Sequence, residues 1–503
     1  MTLRTGWLVT IALLVAVAFG FQGSRGLYET TEGRYAESAR EMMVSGRYME
    51  PTLAGRPHWT KPPPVYWSIA AGLSLLGPNS WGARIPNAVA FVATALLVGA
   101  IGASLWDRRT GLLATLVYSS SIFPAVGANV VSADTLLTLV EVAAVLAYVR
   151  GWRATATVRR RRWVRVTWFL FGIAFFVKGP PALLPLLALV VFAHVARDRA
   201  APGDRPPRLG DPLGIVIFLV TAAWWYLLSA MRTPGLLGYF LHDEVMGRVL
   251  SDEHHRNPEW YKPFLVYLPP LLLGAGAWLA YAVPAVRRGR LLHPSTWTRR
   301  IRNGGPAAFL ALWLLVPLVV FSLARSRLPL YVLPLYAPIA LGIARVVALR
   351  TAPRTGGLSR RPFGIAAASV AVLLALKAAS AHVPSRSDMA ALSGAVRQVA
   401  GPGARVWLFD SKKLYGLDFY LGGEVRRASI AGTEPWSDGD LRAALQDVEA
   451  RHTTRTLLLA SGAWSDTVRA TLAREPVTWR RVAADGRDLY LVGPMMAARP
   501  ARE

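Results

Sequence analysis

The chain has 503 residues, of which 53% are hydrophobic and only 17% charged, with a mean hydropathy of +0.33; this excludes an ordinary soluble domain and implies a polytopic α-helical membrane protein. A formal net charge of +27 would suit a nucleic-acid binder, but the arginines stand in short clusters at the ends of apolar runs, the pattern that orients a protein in a membrane, and no nucleic-acid partner is expected. Cysteine is absent, which removes disulfides, thiolate metal sites and a cysteine nucleophile.

The first apolar run, Trp7 to Phe21, follows Arg4 and ends at Gly20-Phe21-Gln22-Gly23-Ser24, a poor cleavage site. It predicts an uncleaved anchor with a cytoplasmic N-terminus. A polar first outer loop, 22–78, comes next. Its core, LYETTEGRYAESAREMMVSGRYMEPTLAGRPHWTKPPPVYW, holds the five glutamates Glu29, Glu32, Glu37, Glu41 and Glu50, spaced arginines, and Lys61 before three prolines. Thr30 or Thr31 can cap a helix from Glu32 to about Ser45, with Tyr35, Ala39 and Met42 or Met43 on one face. A second amphipathic piece, Val65 to Leu76, follows the prolines. Both are too short to span and are expected to lie along the membrane surface.

Further spans are predicted from Asn79 to Trp106, Gly111 to about Gly127, Thr135 to Val149, two halves of a run broken at Lys178-Gly179-Pro180-Pro181, Leu213 to Met231, Pro263 to Val283, Phe309 to Leu323, Leu330 to about Val347, and Phe363 to Ala379. The dense clusters, such as Arg159, Arg160, Arg161 and Arg162, all fall on one side, giving about 11 transmembrane helices with the N-terminus inside and the C-terminus outside. Residues 383–503 then alternate β-like runs (Arg405 to Phe409, Thr456 to Leu459, Leu489 to Val492) with amphipathic helices (Met389 to Val399, Leu441 to Ala450, Trp464 to Ala473). A transmembrane catalytic domain over 1–382 and a small extracytoplasmic soluble α/β domain over 383–503 are expected. The chain has no Walker motif, no GxGxxG before a helix, no HExxH and no GxSxG, so ATP-driven and hydrolase-triad chemistry lack their usual support.

With that topology the outer face collects Glu29, Glu32, Arg34, His58, Lys61, Asp134, Lys178, His255, Arg256, Arg325 and Arg327. Asp134 at a span edge and Lys178 within an apolar run are costly unless they face a polar cavity or pair with each other.

The ordered motifs that carry these residues are Thr31-Glu32-Gly33-Arg34-Tyr35-Ala36-Glu37-Ser38-Ala39-Arg40-Glu41-Met42, Lys61-Pro62-Pro63-Pro64-Val65-Tyr66-Trp67, Ala83-Arg84-Ile85-Pro86, Ser132-Ala133-Asp134, Lys178-Gly179-Pro180, His255-Arg256-Asn257-Pro258-Glu259-Trp260-Tyr261 and Arg325-Ser326-Arg327-Leu328-Pro329-Leu330-Tyr331-Val332-Leu333-Pro334. Their order and spacing resemble the family 39 and 83 glycosyltransferases of the GT-C fold, which include the bacterial aminoarabinose transferase of lipid A and the protein O-mannosyltransferases. Two positions depart from the family pattern. Thr31 replaces the first acid of its Asp-Glu pair, and Thr60 replaces the acid that often precedes Lys-Pro-Pro, so a divalent metal and its ligands stay unassigned.

The resemblance implies a GT-C fold in the bacterial inner membrane. It also implies inverting transfer of a sugar from a polyprenyl-phosphate donor to a lipid (lipid A-like) or protein acceptor on the outer, periplasmic face. A phosphate leaving group needs cations rather than a general acid, a role suited to Lys61, Arg256, Arg325 and Arg327. The acceptor hydroxyl needs one carboxylate, with Glu32 first, Asp134 second and Glu29 third. Arg34, Tyr35, His58, Lys178, His255 and Tyr331 complete the expected substrate cavity. The alternative is a polyprenyl-lipid or sugar transporter using the same cavity, for which internal repeats or a second broken helix would be expected. The chain has one KGPP break and no second copy at a matching position.

Overall fold

The computed structural model describes residues 1–197, 205–242, 257–288, 304–351, 357–409, 414–429, 437–450, 456–460, 463–475, 477–484 and 487–494. The chain forms two compact units. The first comprises Met1–Gln22, Trp59–Ser68 and Arg84–Ala378, and the second comprises Gly23–His58, Ile69–Ala83 and Ala379–Glu503. The segment Gly23–His58, which the sequence groups with the spans, therefore folds with the C-terminal chain.

Among the described residues of the first unit, and at its edge, six helices are long and apolar enough to cross a membrane: Ser80–Leu105, Ala133–Arg153, Pro212–Arg232, Pro306–Leu323, Pro329–Arg350 and Arg361–Ser380. The count rises to eight if the bent pairs Arg108–Ser119 with Ile122–Ala128 (64°) and Lys262–Leu273 with Gly276–Pro284 (84°) each make one span. The remaining expected spans fall short for visible reasons. Leu3–Phe19 has 17 residues, Thr157–Lys178 opens on Arg159 to Arg162 and Arg165, and Leu184–Arg197 has 14 residues after a 3-10 turn. Large aromatics fill the interior of this unit, with Trp278, Trp313, Phe171 and Tyr336 all fully buried. The Trp278 indole finds its partner in the Ser120 hydroxyl at 3.0 Å, as a buried N–H requires.

In the second unit, Thr31–Ser45 is helical and ends at Gly46, whose left-handed conformation (φ 70°) closes the last turn. Thr30 occupies the cap position without a side-chain cap hydrogen bond. Tyr35, Ala39 and Met42 are buried, and the helix packs against Tyr415–Leu421. Its apolar face is thus covered by protein, where the sequence suggested a surface-lying helix. Strands β1 (Thr52–Leu53) and β2 (Arg56–Pro57) form a hairpin through Ala54 and Gly55, both at positive φ, as a two-residue primed turn demands.

The C-terminal sheet has five strands: β3 (Arg405–Phe409), β4 (Val425–Arg427), β5 (Thr456–Ala460), β6 (Val477–Ala484) and β7 (Arg487–Pro494), in the order β4-β3-β5-β7-β6. β4, β3 and β5 run parallel, while β7 pairs antiparallel with β5 and β6. The period-2 pattern gives the sheet two buried faces. Val406, Leu408, Leu457 and Leu459 face Met389 and Leu392, and Trp407, Phe409, Leu458 and Ala460 face Ala444 and Val468.

Candidate active site

In the first unit, the helix Ala133–Arg153 begins with Ser132 as its cap, the Ser132 hydroxyl accepting from the Asp134 amide at 3.3 Å. Asp134 lies in the first turn, where the helix dipole favours an anion. The helix Thr157–Lys178 ends at Gly179 (φ 74°, ψ −147°), placing Lys178 in the last turn, where the dipole favours a cation. The two ends meet, and the Lys178 ammonium donates to the Asp134 carboxylate. Both side chains are largely buried, at 8% and 11% exposed. The same ammonium sits 4.7 Å above the Tyr331 ring. Glu141, two helical turns beyond Asp134, lines the same small, mainly apolar chamber. It is buried, with Oε2 lacking a hydrogen-bond partner.

Lys178 also faces a larger cavity of about 420 Å3. Its walls are Trp59, Pro62, Phe175, Leu184, Tyr226, Leu227, Phe240, Phe321 and Tyr331, with the Lys61 and Lys178 ammoniums as cationic groups. Edge-to-face contacts of Phe175 and Phe240 with Tyr226 fix these walls. Lys61 is nearly buried and donates to the Thr60 carbonyl. A long apolar wall with two ammoniums suits a lipid carrying an anionic group.

Arg327, in the turn before Pro329–Leu335, spends its guanidinium on backbone. It donates to the carbonyls of Asn257 at 2.7 Å, Glu259 at 2.8 Å and Ser322 at 3.1 Å, holding residues 257–259 in place. Arg325 is exposed. His255 and Arg256 lie outside the described residues.

The second unit gathers the remaining candidates. Glu32 is 2% exposed and takes a forked ion pair from Arg25, at 2.6 and 3.3 Å, and the Tyr28 amide at 2.9 Å. Glu29 accepts from the Gly416 amide at 2.7 Å on Oε2, while its Oε1 is buried without a hydrogen-bond partner. Burial raises the Glu29 carboxyl above its ordinary value of 4.5, outweighing the Gly416 and Tyr415 amides and the Arg427 and Arg34 charges. Burial likewise raises the Tyr415 hydroxyl against the pull of Arg427, whose guanidinium lies 4.8 Å over the Tyr415 ring. Arg34 lies 5.7 Å over the Tyr35 ring, and His58 is half-buried at the end of the segment.

The structure thus brings Lys61, Lys178, Asp134 and Tyr331 together in one unit, and Glu29, Glu32, Arg34 and Tyr35 together in the other. Among the described residues no group of three or more His, Asp or Glu side chains is placed to hold a metal ion. Sequence reasoning missed Arg25, Arg427 and Glu141; only Glu141, a lone acid inside an apolar span, carried a signal of its own.

Bundled apolar helices, a charged segment folded with a small α/β domain, and an aromatic cavity lined by two lysines make up a multi-pass membrane protein of the GT-C fold. Comparisons with known proteins agree. Residues 60–226 match the family described as dolichyl-phosphate-mannose-protein mannosyltransferase. The chain is similar to an undecaprenyl phosphate-α-4-amino-4-deoxy-L-arabinose arabinosyl transferase of Erwinia tasmaniensis, 31% identical over 372 residues, covering 72% of this chain and 63% of the relative. It is also similar to the protein of the same name from Pectobacterium carotovorum, 34% identical over 346 residues, covering 67% and 57%. The chain therefore spans about three-fifths of the length of these curated relatives. A crystal structure of ArnT from Cupriavidus metallidurans bound to undecaprenyl phosphate superposes with a TM-score of 0.75, covering 97% of this chain and 98% of that one at 21% identity, a likeness of fold.

Proposed function

We propose that the protein is an inverting glycosyltransferase that moves a sugar from an undecaprenyl-phosphate donor to a hydroxyl acceptor at the outer face of a bacterial inner membrane. The observation that carries this reading is the aromatic and aliphatic cavity bearing the Lys61 and Lys178 ammoniums. Its walls suit the polyprenyl chain, and its cations suit the phosphate that gains charge as the glycosidic bond breaks. The names of the relatives favour an aminopentose as the sugar. A lipid acceptor is the reading we adopt, with a protein acceptor as the alternative.

In an inverting transfer the acceptor oxygen attacks the anomeric carbon, the bond to the donor phosphate breaks, and the acceptor proton passes to a carboxylate. The surroundings of the three candidate carboxylates favour a different order from the one read in the sequence. Glu32 has its oxygens engaged by Arg25 and the Tyr28 amide, which suits a positioning role. Asp134 is engaged by Lys178. Glu29 accepts from the Gly416 amide, and its other oxygen is closed off by burial. Glu29 and Glu32 fold in the second unit, whereas Asp134 belongs to the unit that carries Lys61 and Lys178. We assign proton acceptance to Asp134.

The cavity assignment is tested by equilibrium binding of fluorescent undecaprenyl phosphate to the purified protein in detergent. Saturable binding, displaced by unlabelled undecaprenyl phosphate and not by undecaprenol, is expected. Equal displacement by undecaprenol would mean that the cations do not read a phosphate.

A further inference from the structure

The second unit contains a polar pocket of about 250 Å3 that the transfer reaction does not use. It lies between the C-terminal half of the Thr31–Ser45 helix, the β1-β2 turn and the edge strand β4. Its floor is rigid. Arg40 grips Glu37 at 2.6 and 2.7 Å, and Arg427 pairs with Asp418 at 3.0 Å with both side chains buried. One wall is the Glu41 carboxylate, fixed by the Thr52 hydroxyl at 2.7 Å and the Gly55 amide at 3.1 Å. A second is the exposed Asp438, held by the Arg427 amide at 2.8 Å and lying 3.5 Å from the Arg56 guanidinium. The rim carries Arg47 and Arg426, both exposed and neither guanidinium with a partner among the described residues.

We propose that this pocket binds a phosphorylated sugar. Two arginine guanidiniums on the lining, with no partner among the described residues, match a phosphate in charge. The fixed carboxylates of the walls match hydroxyls, which can donate to them while accepting from arginine. The volume falls just below the roughly 300–1,000 Å3 of drug-sized sites, so the ligand is one or two rings. The floor pairs are already satisfied, so a ligand need not break them. This site is independent of the donor cavity and of the assignment of the base.

The test is isothermal titration of the full-length protein in detergent with glucose 1-phosphate, glucose and inorganic phosphate, and with the same sugar phosphate as the headgroup of a micellar glycolipid. Binding of glucose 1-phosphate at least about tenfold tighter than of either fragment is expected, with a further loss of about tenfold on Arg47→Ala or Arg426→Ala. Lys61→Ala is expected to leave that binding unchanged. Binding of the soluble compound supports a free ligand, and binding of the lipid-linked form alone supports a headgroup. Absence of binding by both forms, glucose binding as well as its phosphate, or loss on Lys61→Ala with retention in both arginine variants would each overturn the proposal.

Discussion

Lys178 donates to Asp134 across 44 residues of sequence, joining the last turn of one helix to the first turn of another. Each charge already sits at the favourable end of its helix, and together they form a buried pair on a mainly apolar chamber that Glu141 also lines. Removing one partner leaves an uncompensated buried charge. Lys178→Ala is expected to destabilise the protein by about 3–5 kcal/mol, whereas the double change Asp134→Leu with Lys178→Met is expected to restore much of that loss without restoring turnover. Thermal unfolding in detergent, read beside activity per folded molecule, separates the two effects.

Lys61 and Arg327 are both cations near the expected phosphate position in the sequence, but they face different partners. Lys61 lines the large cavity, so Lys61→Ala is expected to lower donor turnover by roughly 2–4 kcal/mol of transition-state stabilisation. Arg327 holds the carbonyls of Asn257 and Glu259, so Arg327→Ala is expected to speed hydrogen exchange in residues 257–261. A donor-affinity loss in Arg327→Ala as large as that in Lys61→Ala, with exchange unchanged, would place the guanidinium on the phosphate instead.

Asp134→Asn is expected to cut kcat by roughly two to four orders of magnitude, as loss of a general base does. Glu32→Gln removes charge from a pair with Arg25 and is expected to lower stability more than turnover per folded molecule. Turnover retained in Asp134→Asn and lost in Glu29→Gln would move the base to the second unit.

A side chain at Gly33 has no space. A Cβ there would lie 2.4 Å from the Gly416 amide nitrogen and 2.6 Å from its Cα, both backbone atoms that cannot swing aside. Gly33→Ala is expected to destabilise the second unit by about 1–3 kcal/mol, read as a lower unfolding midpoint of tryptophan fluorescence. An unchanged midpoint would show that the Thr31–Ser45 helix does not pack closely on Tyr415–Leu421.

Much of this architecture was legible because it repeats locally. The 3.6-residue spacing of Tyr35, Ala39 and Met42 marked one helix, and the short apolar runs Arg405 to Phe409, Thr456 to Leu459 and Leu489 to Val492 marked three strands. β4 and β6 were missed: the three residues of β4 carry too little pattern, and the apolar run of β6 is interrupted by Arg480 and Arg481. Partner choice was less legible. That Glu32 takes Arg25, or that Arg427 stacks on Tyr415 near Glu29, depends on chain turns that no spacing rule encodes. Lys178 and Asp134 could be paired from sequence because each was a lone charge at the end of an apolar run.

The most direct test of the glycosyltransferase reading is to incubate the purified protein with radiolabelled undecaprenyl-phosphate-linked aminoarabinose and separate the products, offering a lipid acceptor and a protein acceptor in parallel. Label appearing on the lipid acceptor, matched mole for mole by free undecaprenyl phosphate and strongly slowed by Lys61→Ala, is the expected result. Movement of intact donor across a reconstituted bilayer, with its sugar still attached and no labelled acceptor, would contradict it.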